Sequence, residues 1–295
     1  GGKETPRQKM IGMMYLVLTA MLALNVSKSI LDAFVTIDEQ ALEQNNVLVK
    51  SINGIGSTIQ ARVMDPQSKK TALEIQDKYL DLKKKINPVD DHFLKELNAL
   101  MKITEMDDQW FTKDKDQLTS YKPLQDIKKK DDYDTPSMLF GGIEGESKKR
   151  GMALRQKLHD LRDDIILTSS DSVRDDKNVW HIITKDKLKS KDVFFKFLKD
   201  DQHPFMNDLK DIYQMMTKEE ELPSGMDKKL KPWNEAMFYH QPMIGVITTM
   251  TAMRNNIRLA QEKASKMLLS RIDKPMMNIN KVEAQVLAST QYLNV

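Results

Sequence analysis

The sequence predicts a mainly α protein: a single N-terminal transmembrane helix that runs on into an antiparallel helical bundle, with the start of a β domain at the C-terminus. Three observations carry this. Met10 to Val26 is an apolar run without a charge, in a chain whose mean hydropathy is −0.53. Beyond it, long stretches place apolar residues three, four or seven apart, the spacing of one helix face. The last residues alternate instead, with Val282, Ala284, Val286 and Ala288 at the period of a strand.

Thr5 is suited to cap a helix and Pro6 to fill its first position, so Arg7 and Lys9 fall on the first turn. The 17 residues from Met10 to Val26 span about 25 Å at the helical rise, at the short end for crossing a bilayer. Lys3, Arg7 and Lys9 precede the run against one acid, Glu4. By the positive-inside rule residues 1–9 are cytoplasmic and everything after Val26 lies outside. A cleaved signal peptide has a similar charged start and apolar core. Against it stand the Thr5-Pro6 start and the lack of a clean small-x-small site in TAMLALNVSK. The helical pattern also continues past the run, through Ile30, Leu31, Phe34, Ile37, Ala41, Leu48, Ile52, Ile55 and Ile59.

The first helix is expected to end near Met64, because the residue before Pro66 disfavours helix, and Gly54 and Gly56 weaken its last turns. A second helix covers Ser68 to Ile86 and stops at Asn87-Pro88. Asp90 or Asp91 then caps a third, carrying Phe93, Leu97 and Leu100. Residues 105–147 show no sustained period and read as a long irregular surface insertion with one short strand or hairpin. Lys148 to Thr168 returns to helix. NVWHII is a short strand or a helix start, KDVFFKFLKD and PFMNDLKDIYQMM are short helices, and ELPSGMDKKLKP is a loop. A last long helix runs from about Trp233 to Ile272, kinked or broken at Pro242. The long first and last helices make a rod-like core. No apolar heptad pattern persists over the whole length, which speaks against a pure coiled coil.

The 46 basic and 43 acidic residues leave a net charge of +3, too balanced for nucleic acid as the main partner. There is no cysteine, so disulfides, Fe–S clusters and thiol catalysis are excluded. The 20 methionines read as core and membrane filler. His92, His159, His181, His203 and His240 show no zinc-ligand spacing. There is no P-loop, no GxGxxG and no GxSxG. The acidic pairs Asp90-Asp91 and Asp131-Asp132 read as caps and solvated loop. No catalytic, cofactor or metal site is expected, and the chain is not read as an enzyme.

The apolar helix carries the features that remain. Gly12, Thr19 and Ala23 form a small-residue stripe that allows close helix contact. Tyr15 sits a turn inside the cytoplasmic edge, a position also typical of the aromatic belt. Arg7 either snorkels to lipid headgroups or pairs with an acid on a partner. A cation facing the positive end of the helix dipole is mildly unfavourable and favours some compensation. About nine residues on the cytoplasmic side hold no signalling or catalytic domain. Any exchange with the cell interior must pass through other helices in the membrane.

The stretch GGKETPRQKMIGMMYLVLTAMLALNVSK, residues 1–28, closely resembles the N-terminus of GldM/PorM proteins of the type IX secretion and gliding-motility system. PWNEAMFYHQPMIGVITTMTAMRNNIRLAQEKA, which ends at residue 264, resembles the last long helix of that family's first periplasmic domain. The resemblance implies residues 1–9 in the cytoplasm, a transmembrane helix over 10–26, and a periplasmic helical-bundle domain over 27–279, while the irregular insertion at 105–147 has no counterpart in the resemblance. Residues 280–295 would begin a β-rich domain. It implies an inner-membrane, single-pass homodimer whose helices sit inside a ring of GldL/PorL-type membrane subunits and which meets periplasmic and outer-membrane components of the secretion system. By match to TPRQKM, Arg7 would contact a membrane glutamate of the ring subunit, with Tyr15 nearby in the proton-coupling region. The implied function is a subunit of a proton-motive-force-driven motor that transmits mechanical energy through the periplasm. Unlike ExbD- and MotB-type subunits this span holds no acid, so the protonated group would belong to the partner. The alternative is a single-span, membrane-anchored periplasmic scaffold or sensor without energy transduction.

Overall fold

The computed structural model describes the backbone of residues 6–114, 117–224 and 228–273. It describes their side chains except at 6–13, 15–27, 113–114, 117–121, 224 and 273. The expected alternating tail, 280–295, lies outside these residues. Among the described residues the protein is mainly helical, with eight α-helices and three two-stranded hairpins.

Helix α1 runs unbroken from Pro6 to Met64. The side chains of the expected span, Met14 apart, lie outside the described residues, and among the described ones no helix is long and apolar enough to cross a membrane. Gly56 does not break the helix. It admits Tyr79, whose Oη would lie 2.5 Å from a Cβ at that position and which donates to the Ile52 carbonyl at 3.0 Å. The turn after α1 is tied by Ser68 Oγ, which donates to the Arg62 carbonyl at 2.8 Å.

Helix α2 spans Lys69–Thr104 and contains Pro88, so the expected break at Asn87-Pro88 does not occur. The reason lies in its buried face. Ile75, Tyr79, Leu82, Ile86, Asp90, Phe93, Leu97 and Leu100 continue one helical stripe straight through the proline. Burying each large apolar side chain contributes roughly 1.5–3 kcal/mol, so the stripe outweighs the about 3 kcal/mol cost of an internal proline. Pro88 itself is exposed, so the Lys84 carbonyl left without an N–H donor lies on the solvent side. Asp90 consequently caps nothing. It is 1% exposed and accepts from Arg254 Nε at 2.7 Å, Arg254 Nη2 at 3.2 Å and Arg258 Nη2 at 2.7 Å.

The 105–147 stretch is more than a surface excursion. It forms a hairpin of β1 (Phe111–Asp114) and β2 (Gln117–Tyr121), a 3-10 turn at Leu124–Asp126 and helix α3 (Asp134–Leu139). Trp110, Phe111, Leu124, Ile127, Leu139 and Phe140 are buried. Asp132 does act as a cap, accepting from the backbone N–H groups of Asp134 and Thr135 at 2.9 and 3.0 Å.

Helix α4 (Gly145–Ser170) leads to the hairpin β3 (Ser172–Arg174) and β4 (Trp180–Ile182), then α5 (Lys191–Asp200) and α6 (Met206–Met216). The stretch read as a loop at ELPSGMDKKLKP is a third hairpin, β5 (Glu221–Ser224) and β6 (Lys229–Pro232). Its strands are too short and polar to alternate. Helix α7 (Trp233–Phe238) stops before Pro242, and α8 (Met243–Asp273) follows, so the expected break at Pro242 is present. The first N–H groups of α8, which a helix leaves without internal partners, donate to the 105–147 stretch. Met243 N reaches the Asp132 carbonyl at 2.8 Å and Ile244 N the Lys130 carbonyl at 3.1 Å.

Helices α1, α2, α4, α6 and α8 alternate in direction. Tyr79 meets Ile52 and Gln76 meets Gln60, so α2 descends along α1. Arg150 meets Glu96 and Lys78 meets Asp171, so α4 ascends along α2. Lys263 meets Asp208 while Asn256 meets Met215, so α6 descends along α8. With five alternating helices the first and last run in parallel. Thr248 donates to the Phe34 carbonyl, Asn45 to Asn255, and Ser51 to Glu262. One buried core joins all five, including Ile52, Ile59, Leu82, Phe93, Ile165, Ile212, Ile257 and Leu268.

Candidate interaction surface

Chemistry offers little among the described residues. No group of three metal-binding side chains converges there. The expected scattered histidines are placed separately or as a pair. His159 Nε2 accepts the Lys218 N–H at 2.8 Å, and its pKa falls to about 4 through burial first and then Arg162 and Arg155. His203 Nδ1 accepts the Phe205 N–H at 3.1 Å and is also held at about 4 by burial and then His181. His181 bridges Asp201, 2.7 Å from Nδ1, and Asp175, 3.4 Å from Nε2. An open groove of about 550 Å³ lies between α2 and α4. Its ions already pair with one another, Lys78 with Asp171 and Lys85 with Asp81, both at 2.9 Å.

The expected membrane residues, Arg7, Gly12, Tyr15, Thr19 and Ala23, all fall on the helical backbone of α1, and their side chains lie outside the described residues. What the structure adds is the rest of that helix. One side of α1 packs on the bundle through Val35, Leu48, Val49, Ile52, Ile55, Ile59 and Val63. Its exposed surface divides into two strips. The first carries charge: Lys28, Asp32, Glu39, Glu43 and Lys50.

The second strip carries none. Ile30, Ala33, Ile37, Gln40, Gln44 and Val47 follow one another at alternating steps of three and four, and all six are exposed. Ile30 is 52% exposed, Ile37 51% and Val47 61%, values well outside the range of a core face. The same steps continue through Ser51 to Gly54, Thr58 and Ala61 without a charge, in a chain that is 30% charged. Ser51 is half-buried and donates to Glu262 at 2.6 Å, while Gly54 has open space around it. A three-four spacing is the seam of a coiled coil.

Counted backwards from Ile30, the same steps reach Val26, Ala23, Thr19, Leu16 and Gly12. The small-residue stripe of the apolar run is thus in register with the exposed strip of the bundle. An apolar pattern alone does not reveal this, because Gln40, Gln44, Ser51 and Thr58 interrupt it. The readable signal is the absence of charge at heptad spacing.

The family model described as the GldM N-terminal domain matches residues 194–271. The match takes in most of α5, then α6, the β5–β6 hairpin, α7 and nearly all of α8. It contains the second of the two stretches on which the sequence resemblance rests, while residues 1–28 lie outside it. No curated protein matches the chain.

Proposed function

From its membership of the GldM/PorM family, supported by the match over residues 194–271, we propose that this chain is a homodimeric, single-pass subunit of a proton-motive-force-driven motor in the inner membrane. It passes mechanical energy through the periplasm to the gliding and type IX secretion machinery. A part in that machinery is what the family match supports. The family is also not a known enzyme family.

The observation that carries the proposal is the uncharged heptad strip of α1. A strip that repeats every seven residues on one helix is self-complementary when two copies lie parallel, so residue i meets residue i of the second copy. The strip is in register with Gly12, Thr19 and Ala23, so two copies joined along it enter the membrane as a close helix pair. The 59 residues of α1 correspond to about 88 Å of continuous helix. Displacement at the membrane is thereby carried to the bundle without an intervening joint. Residues 1–9 sit in the cytoplasm, and Arg7 faces a carboxylate of a GldL/PorL-type ring subunit. Protonating that carboxylate would weaken the contact and free one helix to move against the other.

Cysteine substitution tests the assembly against a clean background, since the chain has no cysteine. Ile37→Cys and Val47→Cys should form disulfides between copies in oxidised membranes, and Glu39→Cys on the charged strip should not. Cells carrying Arg7→Ala at wild-type abundance should lose gliding or secretion, and Arg7→Lys should lose less because it keeps the charge but not the planar fork. A membrane subunit with several spans should co-purify. An unimpaired Arg7→Ala strain with no co-purifying partner would instead support the scaffold or sensor.

A further inference from the structure

Two buried histidines meet at the end of the bundle where α8 stops. His181 lies on β4 and His203 in the turn between α5 and α6. Each is 3% exposed, and their ring centroids are 5.4 Å apart. Asp201 Oδ2 lies 2.7 Å from His181 Nδ1 and Asp175 Oδ2 lies 3.4 Å from Nε2, so a proton on either nitrogen of that ring faces a carboxylate. The other oxygen of Asp175 shapes the hairpin turn, accepting from the Lys177 and Val179 N–H groups at 2.9 and 2.8 Å. His203 is placed differently. Its Nδ1 accepts the Phe205 N–H at 3.1 Å, so the proton of the neutral ring sits on Nε2, and that atom has no hydrogen-bond partner among the described residues.

A second proton on His203 has one place to go, Nδ1, where it would point at the Phe205 N–H and break that bond. Burial and then His181 hold the ring neutral, with a pKa of about 4. The groups that bear on it are His181 and Asp175 from the hairpin and Asp201 from the turn, and both acids are already engaged by His181. The Phe205 ring lies 6.1 Å away and offers no charge. Arg174 is drawn over Trp180 on the outer face of the hairpin, and Arg271 donates to the Ser169 and Ser172 carbonyls. The turn itself is held in a less favoured state, with Gln202 at φ +50°, a conformation that suits glycine. The hairpin has three residues in each strand, and a two-stranded ribbon is marginal in water without support. Its supports are the His181–Asp201 contact, the buried Val173, the Ile183 N–H bond to the Asp171 carbonyl at 2.9 Å and the Arg271 bond to Ser172.

We propose that this corner is an acid-released latch: protonation of His203 frees the β3–β4 hairpin from the α5–α6 turn while α1, α2, α4, α6 and α8 stay packed. Release breaks the Phe205 N–H bond and the His181–Asp201 contact, lets the His203 ring reach water and uncovers Val173. Arg271 ties the last turn of α8 to Ser172, so opening the hairpin also loosens the seat of the α8 end. Such a latch works whether or not the bundle is coupled to a proton-driven motor.

Hydrogen exchange of the detergent-solubilised chain, read by mass spectrometry over residues 171–183 and expressed as protection factors, follows the latch at pH 7.5 and pH 5. The hairpin should be less protected than α4 and α8 at both values and insensitive to low urea, because a local opening exposes little surface. Freed into water, His203 regains an ordinary pKa near 6.5. Between the two pH values the protection of 171–183 should therefore fall about 25-fold further in the parent than in His203→Asn, which keeps an acceptor for the Phe205 N–H. Asp201→Ala, which cuts the tie from the other side, should lower hairpin protection already at pH 7.5. A hairpin that exchanges only with the protection and urea dependence of α4 and α8 overturns the proposal. So does a pH response equal in parent and His203→Asn, or an Asp201→Ala hairpin as protected as the parent's.

Discussion

Asp90 should be among the most sensitive polar positions in the bundle. Its carboxylate is 1% exposed and accepts three charge-assisted hydrogen bonds from Arg254 and Arg258, themselves 3% and 7% exposed. Each such bond contributes about 1.5–3 kcal/mol. The larger effect of Asp90→Ala is to remove from two buried guanidinium groups the acid they share, while Gln261 Oε1 still accepts from Arg258 at 2.9 Å. Breaking a buried pair in this way costs about 3–5 kcal/mol. At about 2–4 °C per kcal/mol for a large domain, the unfolding midpoint should fall by about 6–20 °C. Asp90→Asn should be nearly as damaging, because its amide turns N–H donors toward cations. The triple variant Asp90→Leu/Arg254→Met/Arg258→Met removes the charges together and should return to within about 2 kcal/mol of the parent. Thermal unfolding of the detergent-solubilised chain, followed by circular dichroism at 222 nm, compares the four proteins. An Asp90→Ala midpoint within about 2 °C of the parent refutes the reasoning. So does a triple variant as unstable as the single one, which would place the loss in packing rather than in stranded charge.

His203 gives a pH dependence of definite sign. Its folded pKa of about 4 lies below the ordinary 6.5, so between those values the unfolded chain binds a proton that the folded chain refuses. Stability is therefore full above pH 6.5 and is lost as the pH falls toward 4, at up to about 1.4 kcal/mol per unit. Between pH 6.5 and 5 the parent should lose about 2 kcal/mol more than His203→Asn, which keeps an acceptor for the Phe205 N–H but cannot titrate. Urea titrations at the two pH values check it, and equal losses in both proteins would remove His203 from the acid response. Gly56→Ala should destabilise despite the roughly 1 kcal/mol helix-propensity advantage of alanine. The new Cβ meets the Tyr79 ring and displaces its bond to the Ile52 carbonyl. Gly54→Ala, with open space around it, should stabilise the monomer, so the pair compared by thermal unfolding separates propensity from contact.

The elements legible in the sequence are those whose burial is periodic and local. Helices α4, α5, α6 and α8 follow directly from apolar residues three and four apart, and the breaks at Asp65-Pro66 and Pro242 follow from the missing N–H of proline. In α2 the same proline rule loses. Pro88 points to solvent, and the buried stripe passes beneath it in phase. Asp90 looks like a cap from its neighbours, because the two arginines that hold it lie more than 160 residues away in the chain. The β5–β6 hairpin was hidden by strands of four residues with no apolar alternation. The uncharged strip of α1 is written in the sequence, but glutamine, serine and threonine mask it from any scale that scores only apolar residues.

The five helices that alternate in direction among the described residues are an odd number, and the parity has a mechanical consequence. An even number would bring the chain back to the end at which it entered, so that anything attached after α8 would hang beside α1 as a branch. The odd count puts entry and exit at opposite ends, so the bundle stands in series along the chain, and under the proposed function a load entering at one end would leave at the other. A twist applied to α1 would cross sideways into the parallel α8 through the Asn45–Asn255 and Ser51–Glu262 bonds, and into α2 through the contact of Tyr79 with the Ile52 carbonyl. Under the proposed function, shear along these two seams would set how much of a torque survives the passage.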